Sequence, residues 1–197
     1  MSLTWKQSCA VLLLAAATAA SPLAGEEMAL ELNPAGTTVG FTLGDVLHTV
    51  RGNFKLKRGE IRFDPATGKA SGAVVVDAAS GESGSDARDS RMHKNILESV
   101  KYPEITFRPD RVEGTVAPAG ASDVRVHGFF GIHGAEHEIT IPVELKMEPE
   151  QVTAIMRFPV PYVKWGMKNP STLLLRVKDT VEIEIRTVAR YRPSIRS

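Results

Sequence analysis

Apolar and polar residues alternate along most of the chain, and the alternation is clearest over residues 124–147. Val124 and Phe130 share one side in the first half of this stretch, and Ile139 and Ile141 share one side in the second half. Because successive side chains of a strand point to opposite faces, each half predicts a strand with one apolar face. A turn with glycine and histidine joins the halves, so the stretch predicts an antiparallel hairpin with one solvated face.

The same alternation recurs at short intervals elsewhere in the sequence. It predicts further strands around the apolar positions Val39, Phe41 and Leu43; Val50, Phe54 and Leu56; Ile61 and Phe63; Val74 and Val76; Ile105 and Phe107; Val112 and Val116; Val152, Ala154, Met156 and Phe158; and Leu173, Leu175, Val177, Val181, Ile183 and Ile185. Asp179 is the one charged residue in the apolar register of the last run, which predicts a bend or a bulge there.

Only residues 85–98 have the pattern of a helix. Asp86 and Asp89 lie near the start and Lys94 near the end, as the helix dipole favours. A loose apolar stripe accompanies them, formed by Ala87, Met92, Ile96 and Leu97. About eight or more short strands with one helix favour a closed antiparallel barrel over an α/β fold.

The first residues have the composition of a secretory signal peptide. Lys6 is the only charged residue before Glu26, and residues 10–20 form an apolar run rich in alanine and leucine. That run is too short to span a bilayer but has the length of a signal core. We therefore expect a cleaved Sec-type signal over residues 1–24, a single domain over residues 25–197, and a periplasmic or secreted protein.

Charge and cysteine content exclude several classes of function. The only cysteine, Cys9, lies in the expected signal, so the mature chain would have neither a disulfide nor a thiol nucleophile. Without Lys6 the basic and acidic residues are equal in number, which gives no electrostatic reason to expect nucleic-acid binding. No later segment is apolar over the length of a membrane span, so we do not expect a membrane-spanning protein.

Three of the five histidines lie in the hairpin of residues 124–147. Alternation points His127 and His133 to the polar face and His137 to the apolar face. A zinc site needs three or four ligands that converge on one point, so this division argues against a metal site. An enzyme that uses the histidine hairpin, with or without a metal, is nevertheless the alternative function. The chain has neither a G-x-S-x-G elbow nor a phosphate-binding glycine loop, and we predict no catalytic residue and no cofactor.

A long connection over residues 158–170 contains three prolines together with Tyr162 and Trp165. Prolines exclude it from a central strand. Long loops that carry aromatic residues are more often functional than idle. Tyr162, Trp165 and Lys168 are therefore candidates for ligand contacts at the mouth of a barrel, although the two aromatic rings would equally serve to plug an end of the core.

Four segments in the right order resemble the YceI-like family over residues 29–190. They are TVRGNF at 49–54, KYPEITF at 101–107, IHG at 132–134 followed by ITIPV at 139–143, and VEIEI at 181–185. The resemblance implies an extended eight-stranded lipocalin-like barrel with one short helix, in which an apolar tube holds the chain of a polyisoprenoid or another lipid. This sequence departs from the commoner family pattern at His127, at residues 136–137 and at residues 163–171.

These observations predict a non-catalytic carrier of an isoprenoid or fatty-acid-like lipid in the cell envelope, and the family habit favours a homodimer. An eight-stranded barrel either holds one small ligand or fills with side chains, and a filled barrel would act through its surface instead. The residues predicted to contact the ligand are Phe41, Phe54, Phe107, Phe130, Ile139, Ile141, Met156, Phe158, Tyr162, Trp165, Leu173 and Leu175.

Overall fold

The structure is a computed structural model, and it describes residues 27–44, 49–172 and 176–193. These ranges contain nine antiparallel strands: β1 Met28–Leu32, β2 Thr38–Gly44, β3 Thr49–Phe63, β4 Ala70–Glu82, β5 Glu104–Glu113, β6 Gly120–Ile132, β7 Ala135–Met147, β8 Gln151–Val160 and β9 Val181–Pro193. Helical structure is confined to a 3₁₀ turn at Pro34–Gly36, helix α1 at Asp86–Arg91 and a π-helical turn at Met92–Ile96.

The strands close into a ring in the order β3-β2-β9-β8-β7-β6-β5-β4, and β4 pairs back to β3. β1 and β2 lie end to end at one position of this ring, because each of them pairs with both β3 and β9. The 3₁₀ turn Pro34–Gly36 separates them, and the Asn33 side chain caps it by accepting a hydrogen bond from the Ala35 N–H. Counted by position the barrel is eight-stranded, which confirms the fold class predicted from the sequence.

The hairpin predicted over residues 124–147 is formed by β6 and β7. Its tip is a two-residue turn in which His133 and Gly134 both have positive φ, 53° and 76°. This is the geometry that matches the twist of two paired strands. Val124 lies opposite Val143 and Phe130 lies opposite His137, so the apolar registers of both strands face the barrel interior together.

Two strand predictions need correction. Ile105, Phe107 and Val112, predicted in two separate strands, belong to one strand, β5, which has a bulge between Pro109 and Arg111, whereas Val116 lies beyond its end. The last strand begins and ends later than predicted: β9 starts at Val181, after the predicted bend at Asp179, and continues to Pro193. Val177 and Asp179 are instead tied to the proline-rich connection, because the Asn169 side-chain amide donates hydrogen bonds to the Val177 carbonyl and the Asp179 carboxylate.

Helix α1 and the π-helical turn together lie across one end of the barrel and correspond to the predicted helix at residues 85–98. The Asp89 carboxylate accepts hydrogen bonds from the backbone N–H and hydroxyl of Ser83, which fixes the start of the segment. His93 Nε2 donates to the Gly81 carbonyl at 2.9 Å and holds the segment against β4. Leu97 is buried beside the helix as part of the main core.

Substitution of Gly52 tests the close packing of β3 against its two neighbours in the closed barrel, β2 and β4. A Cβ atom there would lie 2.2 Å from the Glu82 carbonyl oxygen and 2.4 Å from the Phe41 ring. We expect Gly52→Ala to lower the free energy of unfolding by about 1–3 kcal/mol, measured by urea denaturation. Gly40→Ala on β2 is the matched control, since its nearest contact would be 3.5 Å. Equal stability of the two variants would contradict the packing described.

Candidate ligand-binding cavity

The barrel interior holds two cavities that share part of their walls. The upper cavity has a volume of about 580 Å³ and lies at the end covered by the helical segment and the proline-rich connection. The lower cavity has a volume of about 170 Å³ and lies toward the opposite end. The residues that line both are Val39, Val76, Ile105, Phe130, Phe158 and Ile185. This shared belt places the two cavities, the upper and lower chambers, next to each other inside the barrel.

The upper chamber is the larger and has polar groups on one side only. Its volume lies within the range of about 300–1,000 Å³ that is usual for small-molecule sites. Its polar or charged lining side chains near the helical segment are Ser83, Ser85, Arg88 and Arg91. Both arginines are exposed, and Arg88 donates hydrogen bonds to the Ser83 hydroxyl and carbonyl at 2.7 and 2.8 Å. An apolar chamber with polar groups on one side suits an amphiphile.

The lower chamber has an apolar lining. Its hydroxyl-bearing residues include Thr37 and Thr187, whose hydroxyls hydrogen bond to each other at 2.6 Å. A cluster of buried residues lines its far end, namely Met28, Phe63, Met147 and Val152. A chamber with this lining can take the end of a hydrocarbon chain but offers little to a polar head.

The proline-rich connection packs into the upper end of the barrel. The ladder between β7 and β8 ends at Val143 opposite Met156, and the connection leaves from the end of β8. Its Tyr162 side chain is buried and lines the upper chamber, and its hydroxyl donates to the Lys178 carbonyl at 2.8 Å. Burial, with a smaller contribution from the charge of Asp179, raises the pKa of Tyr162 to about 12.

Trp165 of the same connection acts as a plug. Its ring stacks on His137 with centroids 4.1 Å apart and an interplanar angle of 4°, and it lies 5.7 Å from the Phe130 ring. Trp165 does not line either chamber. His137 Nε2 is buried with no hydrogen-bond partner among the described residues, and burial lowers the pKa of its imidazole. Tyr162 therefore lines the upper chamber, whereas Trp165 packs against His137 and Phe130 and lines neither chamber.

The structure brings most of the predicted contact residues to the chamber walls. Those on the upper wall are Phe41, Phe54 and Tyr162, those on the lower wall are Phe107, Ile141 and Met156, and those on both are Phe130 and Phe158. Two lie against the core without lining a chamber, namely Ile139 and Trp165. Leu173 and Leu175 lie outside the described residues, and Lys168 is exposed on the connection.

Sequence reasoning missed the contribution of the helical segment to the upper wall. Met92, Ile96 and Leu97 line the chamber, together with the buried Met167 of the connection. The signal was present, because the apolar stripe of an amphipathic helix must be buried against something. What the stripe does not reveal is that it faces a cavity and not a filled core.

Comparison with known proteins agrees with this architecture. The family model for the YceI-like domain matches residues 30–189. This chain belongs to the YceI-like family. Comparison with curated proteins finds no match. The match to the family confirms the resemblance seen in the sequence, and the YceI-like fold is that of a binding protein.

Solved structures share the fold of this YceI-like chain at low sequence identity. BcnA from Burkholderia cenocepacia is 20% identical with a TM-score of 0.68, and the match covers 80% of this chain and 98% of BcnA. A polyisoprenoid-binding domain from Saccharophagus degradans is 14% identical with a TM-score of 0.64, covering 84% and 98%. The YceI protein of Campylobacter jejuni is 20% identical with a TM-score of 0.60, covering 74% of this chain and 87% of that protein.

No helix in the described ranges is long and apolar enough to cross a membrane.

The three hairpin histidines of this YceI-like protein have three different surroundings. His127 lies on the outer face of β6 between Asp110 and Glu138, whereas His137 lies inside against Trp165. His133 is the turn residue, with its ring 4.8 Å from that of Tyr102. In the part of the chain that the structure describes, no three His, Cys, Asp or Glu side chains are grouped to hold a metal ion. The alternation thus assigned His127 and His137 to the correct faces, whereas His133 lies in the turn and belongs to neither strand.

His127 is buried even though it belongs to the polar face. Its Nδ1 lies 2.6 Å from Asp110 and its Nε2 lies 2.8 Å from Glu138, so a protonated ring donates to both carboxylates. Asp110 is the extra residue of the β5 bulge, which explains why strand alternation did not place it here. The hydrogen bonds to Asp110 and then Glu138 raise the pKa of His127, against burial and the nearby Arg111.

This arrangement predicts a pH-dependent stability. Because the pKa of His127 is raised on folding, its contribution is complete below about pH 6.5, the unfolded value, and is lost as pH rises through the folded pKa. We expect His127→Gln to lower the free energy of unfolding by about 1.5 kcal/mol at acidic pH. This value is at the low end for hydrogen bonds to charged groups, because both carboxylates are partly exposed. Urea denaturation at several pH values tests this, and a cost that does not shrink above neutrality would contradict it.

Proposed function

We propose that this YceI-like protein binds and carries a long-chain isoprenoid or another lipid amphiphile without changing it chemically. The observation that supports this most strongly is the pair of adjacent, largely apolar chambers inside the barrel, with a belt of wall residues in common. The polyisoprenoid-binding domain from Saccharophagus degradans has the same fold, which adds support for this class of ligand. The composition of residues 1–24 supports a periplasmic site of action.

The free energy of chain burial explains why both chambers would be needed. Burying about ten methylenes yields roughly 8 kcal/mol at about 0.8 kcal/mol each. Association costs roughly 4 kcal/mol or more, which leaves an affinity of only about 1 mM. Micromolar binding requires about 4 kcal/mol more, equivalent to about five further methylenes. A chain that passes the shared belt into the lower chamber would supply this burial.

The polar head would lie at the opening of the upper chamber. Ser85 and Arg91 supply a hydroxyl and a guanidinium donor on the helical side. Lys168 is exposed on the connection. A head group placed there keeps its contact with water while the chain is desolvated, so no buried charge needs to be compensated.

Ligand content is the direct test of the proposal. The protein purified from its native compartment should release a long-chain lipid on organic extraction, identified by mass spectrometry. Protein stripped of lipid should take up an added isoprenoid in equal molar amount. The absence of both a copurified lipid and uptake would refute the carrier proposal.

A substitution in the shared belt tests where the chain lies. Val39 lines both chambers, and Val39→Trp would place a large ring in the passage between them. We expect a loss of isoprenoid affinity of at least about tenfold, since about two or more methylenes would be excluded. Thr38→Trp is the matched control, because the neighbouring Thr38 is exposed and lines neither chamber. Equal affinity of the two folded variants, verified by circular dichroism, would contradict this path.

A further inference from the structure

The charged residues of the chain are unevenly distributed between the ends of the barrel. We define the rim as the described segments 83–101, 161–172 and 176–180, which surround the opening of the upper chamber. Two contacts join these segments to the strands around the opening. The Lys178 N–H donates a hydrogen bond to the Gly44 carbonyl of β2. Tyr102, which directly follows the first segment, packs on the His133 ring. The rim carries eight basic and four acidic residues, although the mature chain is close to neutral.

Most of the basic rim residues have no carboxylate to neutralise them. Lys94, Lys164, Lys168, Arg176 and Lys178 make no ion pair with any residue of the described ranges. Three of the four acidic rim residues have other partners. Those contacts are Asp89 with Ser83, Glu98 with His133, and Asp179 with Asn169.

The strands of the barrel wall show the opposite arrangement. Their outward arginines and lysines mostly lie against carboxylates, as in the pairs Arg62–Glu60, Arg108–Glu136, Arg111–Glu113, Lys146–Glu148 and Arg157–Glu184. The wall is thus locally neutral, whereas the rim carries a net positive charge. A positive patch of this kind attracts an anionic surface.

An exposed apolar residue lies within the same rim. Val100 is 98% exposed, although a valine side chain is usually at least partly buried in a folded domain. It projects from the turn after the helical segment, beside Lys101, whose Nζ lies 4.8 Å from the Tyr102 ring. An apolar side chain next to lysines is the combination that inserts at a membrane interface while the amines contact lipid head groups.

We propose that the rim docks on the surface of an anionic lipid bilayer, with the opening of the upper chamber toward the membrane. This inference rests on the proposed lipid-carrying function, because docking would let a lipid pass between bilayer and cavity with little exposure to water. The partner is a bilayer and not a nucleic acid, since the positive residues encircle an apolar opening that a nucleic acid would leave exposed. Binding would be electrostatic and would weaken as salt screens the charges.

Vesicle co-sedimentation of the full protein tests the docking surface. We expect binding to vesicles of phosphatidylcholine mixed with phosphatidylglycerol, and little binding to phosphatidylcholine alone. Each neutralised rim charge should weaken binding about fivefold, so Lys94→Gln with Lys164→Gln should weaken it about 25-fold. The matched control is Lys55→Gln with Lys69→Gln, which removes the same charge from exposed positions on the wall and at the far end.

The outcomes separate docking from carrying. Lys94 and Lys164 line neither chamber, so the rim variant should take up an isoprenoid added from methanol as the unmodified protein does. Normal uptake together with weak vesicle binding supports both proposals. Equal vesicle binding by the rim and control variants, or no preference for anionic vesicles, overturns docking while uptake still stands. Loss of uptake in the unmodified protein refutes the carrier function, whatever the vesicles show.

A second variant tests the apolar contact. Val100→Ser removes an exposed side chain that packs against little of the protein, so folding should be unaffected. We expect it to weaken binding to anionic vesicles several-fold without changing the salt dependence, since no charge is altered. Unchanged vesicle binding would show that Val100 does not enter the bilayer interface. It would overturn the apolar part of the proposal, with docking due to the charged rim residues alone.

Discussion

Closure of the sheet is the constraint on which the rest of this structure depends. An open sheet leaves unpaired N–H and C=O groups at its edges, and closure pairs them along the ring. β1 and β2 make closure possible by sharing one position between β3 and β9. Once the ring is closed, the apolar faces of all strands must point to one interior, and the number of strands sets its width.

At this width, the size of the inward-facing side chains determines whether the barrel interior is filled or hollow. Small residues such as Ala154 and Ala189 face the lower chamber, and the large rings of Phe130 and Phe158 meet at the shared belt with centroids 6.0 Å apart. The helical segment and the connection cover the upper end without filling it. The same closure that stabilises the sheet therefore also creates the space in which a lipid would be desolvated.

The sequence predicted the directions of side chains well and the distances between them poorly. Period-two alternation specifies which face a residue occupies, so the barrel, the β6–β7 hairpin and the inward Phe130 followed from it. Alternation does not specify how far opposite walls lie apart, so the cavity was not predictable from the pattern. It also fails at a bulge, which is why the contact between His127 and Asp110 was missed. The later start of β9 has a similar origin, because the hydrogen bond from the Asn169 side chain to the Val177 carbonyl leaves no signal in the alternation pattern.

The proposed carrier function requires release of the ligand through one end of the barrel. The two ends differ in how many hydrogen bonds and buried contacts must break for that end to open. The far end consists of paired strands packed on a buried apolar cluster, and widening it would break several ladder hydrogen bonds together. The upper end is covered by a short helical segment held to β4 through His93 and Gly81, and by a connection that has no strand of its own. Local opening costs least where few backbone hydrogen bonds and few buried contacts must break. Exchange of a lipid is therefore expected at the upper end, where the unpaired cations of the rim also lie.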